Sequence, residues 1–143
     1  MARRPDYKKP IDRSENMRRI RSRDSMIEIQ LRSYLFRAGL RFRCCPSNLP
    51  GKPDILFPTA RVAVFVHGCF WHQHSCRKGH MPNSNRMYWE PKLAGNVARD
   101  ARNTRRLRTL GYSVLTVWEC RLLAKADSEG RRVQRTVERR SKL

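Results

Sequence analysis

The stretch Val62-Ala63-Val64-Phe65-Val66-His67-Gly68-Cys69-Phe70-Trp71-His72-Gln73-His74-Ser75-Cys76 decides how this chain is read. Its first half is a continuous apolar run, the pattern of a strand buried on both faces. Gly68 breaks the run. Residues 69–76 then hold two cysteines, two histidines and two large aromatics. A core strand needs none of them, so the second half reads as a metal site beside a reactive site, with aromatic wedges between.

Upstream, Asp54-Ile55-Leu56-Phe57 forms a second apolar run, joined to a strand over 61–67 by Pro58-Thr59-Ala60. Two short strands with a three-residue link read as a hairpin. Its open end makes Asp54 and His67 neighbours. Residues 46–53 are turn-rich, and 40–45 is expected as a strand with Phe42 inward. Before that, Ser25-Met26-Ile27-Glu28 has the form of a capping box. Ile27, Leu31, Leu35 and Ala38 continue as one helical stripe, closed by Gly39. Glu28 is then either a capping side chain or a carboxylate turned toward a site. A shorter helix over 14–21 carries Met17 and Ile20 between arginines, and residues 1–13 read as a flexible basic arm.

Downstream, 77–95 is expected as a charged loop and 96–110 as a helix with apolar Val97, Ala101, Leu107 and Leu110. Residues 112–118 form a β-branched strand ended by Glu119-Cys120, and 127–142 a charged helix with Val133 and Val137 inward. The expected fold is α/β, a small mixed sheet flanked by helices, with 14–143 a single domain.

The chain has 143 residues, with 32 Lys and Arg against 12 Asp and Glu, a net charge of +20. Such an excess points to a polyanion partner, and nucleic acid fits best. No apolar run is long enough to span a bilayer and no secretory leader is visible, so no membrane association is expected. The odd count of five cysteines favours thiolates or metal ligands in a reducing cytoplasm over a disulfide framework.

Three constellations carry chemistry. Cys69, His74 and Cys76 offer sulfur and imidazole ligands for a structural zinc, with Cys120 the natural fourth ligand and His72 and His80 as competitors. The bland alternative is that the cysteines are small core residues. Asp54 suits Mg²⁺, and a histidine left over from zinc, His67 or His72, suits water activation with a carboxylate such as Asp100 orienting it. Against this, Asp54 is equally a turn residue and Asp100 an ion-pair partner. Phe70, Trp71 and Trp89, with Met17 and Ile20, suit insertion between base steps, or else belong to the core.

These residues resemble the very-short-patch-repair (Vsr) DNA mismatch endonucleases. The matching segments are Ser-Glu-Asn-Met-Arg-Arg-Ile with Arg-Asp-Ser-Met-Ile-Glu (14–28), Leu-Pro-Gly-Lys-Pro-Asp (49–54), Val-His-Gly-Cys-Phe-Trp-His-Gln-His-Ser-Cys (66–76), Asn-Val-Ala-Arg-Asp (96–100) and Val-Trp-Glu-Cys (117–120). The resemblance implies a restriction-endonuclease-like fold, a structural Zn²⁺, and Mg²⁺-dependent nicking 5′ to the thymine of a T:G mismatch left by 5-methylcytosine deamination. It implies Asp54 as the metal-binding aspartate, His72 as the water-activating histidine with Asp100 as its partner, and His67 as the second active-site histidine. Glu28 falls on a glutamate that contacts metal-bound water. Cys69, His74, Cys76 and Cys120 fall on the zinc ligands, and Phe70, Trp71, Trp89, Met17 and Ile20 on intercalating positions. Val66 stands where a family member carries threonine, and its backbone carbonyl is the implied magnesium contact. The implied partners are double-stranded mismatched DNA and mismatch-repair proteins, met by a monomer in a bacterial cytoplasm, at the nucleoid when acting. Two other classes fit the composition: a non-catalytic zinc-stabilised DNA-binding module, and a site-specific restriction-type nuclease cutting both strands of paired DNA.

Overall fold

Valine, isoleucine and phenylalanine concentrate in the two runs on either side of Pro58, and both runs become strands. The structure, a computed structural model, describes residues 21–142. The expected arm over 1–13 and the residues Met17 and Ile20 lie outside the described residues. In chain order the elements are α1 (Arg21–Arg37), β1 (Arg43–Cys44), β2 (Ile55–Phe57), β3 (Val62–His67), a 3₁₀ turn (Arg77–Gly79), α2 (Arg86–Thr109), β4 (Ser113–Trp118) and α3 (Glu119–Ser141). The sheet order is β1-β2-β3-β4, antiparallel for the first two pairings and parallel between β3 and β4. A parallel pair needs a crossover, and the segment carrying α2 supplies it.

β3 is buried along its whole length, so its alternate side chains serve two cores. Val62, Val64 and Val66 meet Ile27, Leu31 and Leu35 of α1 and Leu122, Val133 and Val137 of α3. Ala63 and Phe65 meet Leu56 and Leu107 of α2 on the other face. The helices therefore cover both faces of a mixed α/β sheet.

Several expectations shift at their edges. α1 is already helical at Arg21, so Ser25 lies inside the helix rather than at its start. The stripe Ile27, Leu31 and Leu35 is buried as expected, but the helix ends at Arg37 and leaves Ala38 exposed. Gly39 closes it at φ +86, with the Gly39 and Leu40 N–H groups reaching the Phe36 and Leu35 carbonyls. The strand expected over 40–45 shrinks to two residues, with Phe42 half-buried edge-on to Phe57.

The largest difference is α2, which starts at Arg86 rather than Asn96 and contains Pro91. Proline removes one helical donor and crowds the preceding turn. Here it sits on the exposed side, while Trp89 and Leu93 on either side of it are fully buried and hold the turn in place. α3 likewise begins directly at Glu119, eight residues earlier than expected, and bends at Lys125 (φ −149, ψ 66). Leu122 anchors its first turn. Arg132 ties it to β4, donating to the Thr116 carbonyl at 2.7 Å and to buried Glu129 at 2.9 Å.

α1 and α3 approach so closely that Gly130 lies under the Tyr34 ring. A Cβ there would stand 2.3 Å from a ring carbon. Gly130→Ala is expected to destabilise the protein by about 1–3 kcal/mol through overpacking. A urea midpoint equal to that of the parent protein would refute this packing.

Candidate active site and metal centre

The register of the parallel pair fixes where the chemistry can sit. His67 of β3 lies beside Trp118 of β4. Both strands therefore end at one edge of the sheet, and the chain segments leaving them meet there. Cys69 and Cys120, two residues past each of those ends, come together: the Cys120 N–H lies 3.4 Å from the Cys69 Sγ.

The intervening loop folds back on itself to complete this group. The His72 and His74 N–H groups donate to the Gly68 and Cys69 carbonyls at 3.1 and 2.9 Å. Gln73, in the left-handed region at φ +50, staples the loop by donating to the Phe70 and Gly79 carbonyls at 2.8 and 3.0 Å. Gly79 must be glycine, because a Cβ there would lie 1.9 Å from the His74 carbonyl oxygen. The result brings ligand atoms of Cys69, His74, Cys76 and Cys120 all within 4.8 Å of one another.

The spacing suits a tetrahedral ion. Bonds of about 2.3 Å to sulfur and about 2.0 Å to nitrogen place those ligand atoms about 3.6 Å apart. His74 Nδ1 lies 3.5 Å from the Cys120 Sγ and 3.7 Å from the Cys69 Sγ. Burial pushes the Cys69 thiol well above its ordinary value. At Cys76 burial pulls the same way, but hydrogen bonds from Cys69 and from the Lys78 and Gly79 N–H groups outweigh it and hold that thiol low. Expected competitors stay out of this group: His80 Nδ1 pairs with the Arg77 carbonyl, and His72 turns the other way.

His72 belongs to a second group, with His67 and Asp100. Its Nδ1 meets the Asp100 carboxylate at 2.5 Å. A carboxylate at Nδ1 selects the tautomer with the proton there and leaves Nε2 as a base. His67 stacks on His72 with ring centres 3.7 Å apart and planes 4° from parallel. Burial holds His67 well below its ordinary value, at about 4; His72 adds to this effect and Asp100 opposes it. His67 therefore stays neutral at physiological pH and can stack without charge repulsion. Trp118 joins the two groups, stacking on His74 at 4.1 Å and meeting His67 edge-on at 5.3 Å.

Asp54 heads a third group, with Glu28 and Cys45. Its Oδ2 accepts the Val66 N–H at 2.7 Å. The Val66 side chain itself is in the apolar core, so only its backbone meets the aspartate. Asp54 and His67, expected as neighbours, thus flank the end of β3 in different groups: one with α1, the other with α2. Glu28 pairs with Arg32 at 3.0 Å, one turn along α1.

Phe70, Trp71 and Trp89 also come together, but as a closed cluster with Leu93, their ring centres 5.1 to 5.6 Å apart. Trp71 is the least covered, at 8% exposure. Asn96 holds its backbone in place, donating to the Trp71 carbonyl at 3.0 Å.

Residue-type reasoning passed over Arg32, Cys45, Gln73 and Asn96. A signal existed for Asn96: residues 89, 93, 96, 100, 103 and 107 recur at four and three, one face of α2. That face starts and ends apolar and is polar where it meets the site.

A family model described as DNA mismatch endonuclease Vsr matches residues 5–78. The chain belongs to the Vsr family. It is 46% identical over 110 residues to the DNA mismatch endonuclease Vsr of Escherichia coli, covering 77% of this chain and 70% of that protein. It is 45% identical over 117 residues to the type II nicking enzyme V.XorIIP of Xanthomonas oryzae, covering 82% and 86%. It is also 43% identical over 114 residues to V.NmeAIP of Neisseria meningitidis, covering 80% and 81%. As a family member the chain is a DNA endonuclease. The family match ends at residue 78, before Asp100 and Cys120, and folding brings these two to His72 and Cys69.

The buried, stacked position of His67 has a direct readout. Its imidazole resonances are expected to stay unshifted from about pH 8 to pH 5, where an unperturbed histidine titrates. A midpoint near the ordinary value would show that the ring is neither buried nor stacked as described.

Proposed function

We propose that this chain nicks one strand of duplex DNA 5′ to the thymine of a T:G mismatch, the product of 5-methylcytosine deamination, in very-short-patch repair. The proposed framework is restriction-endonuclease-like, with a structural Zn²⁺ on Cys69, His74, Cys76 and Cys120. Catalysis depends on Mg²⁺, for which Asp54, the Val66 carbonyl and, through water, Glu28 are the ligands. The chain works as a monomer on nucleoid DNA in a bacterial cytoplasm, with mismatch-repair proteins as further partners.

The observation that carries the reading is the Asp100–His72 pair beside neutral His67, one residue along β3 from the Val66 N–H that fixes Asp54. The Asp54 and Glu28 oxygens are hard donors of the kind magnesium takes. When bound, the ion polarises the scissile phosphate and stabilises the departing oxygen. The rest is done by the chain. His72 Nε2 accepts the proton of the attacking water, and Asp100 fixes its tautomer and stabilises the imidazolium that forms. His67 limits the tilt of His72 by stacking on it. The arginines and lysines behind the +20 charge hold the phosphates on either side of the cut.

Mismatch selection falls to the aromatic cluster. Phe70, Trp71 and Trp89 form the wedge that enters beside the weakened base pair, Trp71 leading because it is the least covered of the three, while Met17 and Ile20 approach from the other groove.

A nicking assay on mismatched and fully paired duplexes tests the proposal. Mismatched DNA should be cut in one strand, and Asp54→Ala should abolish the cut. Asp100→Asn should slow it by about 10²–10⁴-fold, the range of a mispositioned general base. Equal cutting of paired DNA, or cutting of both strands, would instead mark a restriction-type nuclease. Tight binding without any nick would mark a non-catalytic binding module. For the metal centre, one zinc per chain is expected by elemental analysis, and Cys76→Ala should lower both the zinc content and the melting temperature.

A further inference from the structure

The group around Asp54 contains a thiol that the proposed chemistry does not use. Cys45, Glu28 and Asp54 place a sulfur and two carboxylate oxygens within 4.8 Å of one another. The sulfur is positioned by the backbone. Cys45 is held in the left-handed region at φ +48, and its N–H donates to the Asp54 carbonyl at 3.2 Å. Its Sγ lies 3.9 Å from that carbonyl and 3.5 Å from the Arg32 guanidinium, while the residue itself is exposed. Arg32, which also pairs with Glu28 at 3.0 Å, is the cation resident between them.

We propose that Glu28, Cys45 and Asp54 form a second metal site, selective for thiophilic divalent ions such as Zn²⁺ or Cd²⁺, whose occupation blocks magnesium-dependent nicking. It rests on the assignment of Asp54 to magnesium made above. Magnesium takes oxygen ligands and has little use for sulfur. Two carboxylates and a thiolate, with a fourth position open to water, are instead a donor set for zinc or cadmium. Binding forms a metal–sulfur bond as the thiol proton leaves to solvent, and the Arg32 guanidinium gives up Glu28. The ion then holds Asp54, so magnesium cannot. The consequence is regulation by free transition metal: the nuclease is silenced when such ions exceed what the four-ligand centre retains.

The test uses full-length protein whose four-ligand centre is already filled with cadmium, titrated with further Cd²⁺ in the absence of magnesium. One additional ion should bind, with new sulfur-to-cadmium absorption in the ultraviolet. Even the outer partners of metal ligands are worth about 10–100-fold in affinity. Cys45→Ser should therefore weaken the additional ion by at least about tenfold and remove its absorption, while Cys44→Ser keeps both. In nicking assays with magnesium, added Cd²⁺ should slow the parent protein far more than Cys45→Ser, each measured against its own rate without cadmium. Absence of an additional ion, absorption unchanged in Cys45→Ser, or absorption lost in Cys44→Ser would each overturn the proposal. If nicking survives Asp54→Ala, the assignment of magnesium has failed. If nicking needs Asp54 but no Cys45-dependent ion binds, only the present inference has failed.

Discussion

Everything at the functional edge depends on the parallel pairing of β3 with β4. An antiparallel partner would carry its chain away from His67 at the opposite edge. The parallel register sets His67 beside Trp118, so two segments distant in sequence leave the sheet side by side. Cys120 then meets Cys69, and Trp118 lies between His74 and His67. The crossover that permits this pairing is α2, which carries Asp100 to His72. One topological choice thus assembles both the Cys/His cluster and the histidine pair.

The two centres are mechanically joined. Trp118 packs flat on His74 and edge-on to His67, while His67 stacks on His72. A shift of His74 therefore reaches the His72 ring through three contacts, by way of Trp118 and His67. The loop between the ligands has few apolar anchors of its own beyond Phe70 and Trp71, and backbone hydrogen bonds with the Gln73 staples carry most of the remaining order. An ion binding Cys69, His74 and Cys76 of the loop together with Cys120 of α3 would give that loop the stiffness that a hydrophobic core gives elsewhere.

The sheet and the Cys/His cluster of 69–76 were legible because their signals are local. A run such as Val62-Ala63-Val64-Phe65-Val66 has one good solution, and the cysteines and histidines of 69–76 have few other uses. Helix boundaries were harder. Proline and asparagines over 82–91 carry loop signals, yet burial of Trp89 and Leu93 overrides them and extends α2 by ten residues. The apolar residues Val97 and Leu110 suggested a stripe, but both are substantially exposed. The real inward face includes Asn96 and Asp100, which point to a site rather than a core. Ser25 matched a cap by spacing alone, and a helix already under way at Arg21 has no orphan donors for it to satisfy. The Glu28–Arg32 pair follows from i, i+4 spacing on one helix, but the approach of Cys45 to Asp54 and to Arg32 rests on a longer-range fit that no local pattern encodes.

The closed aromatic cluster constrains how a wedge can work. Phe70, Trp71 and Trp89 each meet the other two edge-to-face, and such contacts are worth about 0.5–1.5 kcal/mol apiece beyond burial. Pulling one ring out of the cluster sacrifices two of the three contacts and opens a void beside Leu93. Opening a base step costs a few kcal/mol as well. A mismatch lowers that second cost but leaves the first unchanged. Insertion of the cluster as a block, with Asn96 still holding the Trp71 carbonyl, keeps the ring contacts and leaves only the DNA to be deformed. For a wedge working in this way, discrimination would come from how easily the duplex opens. Such a cluster would need to be rigid, which a well-packed group beneath the Gln73-stapled loop provides.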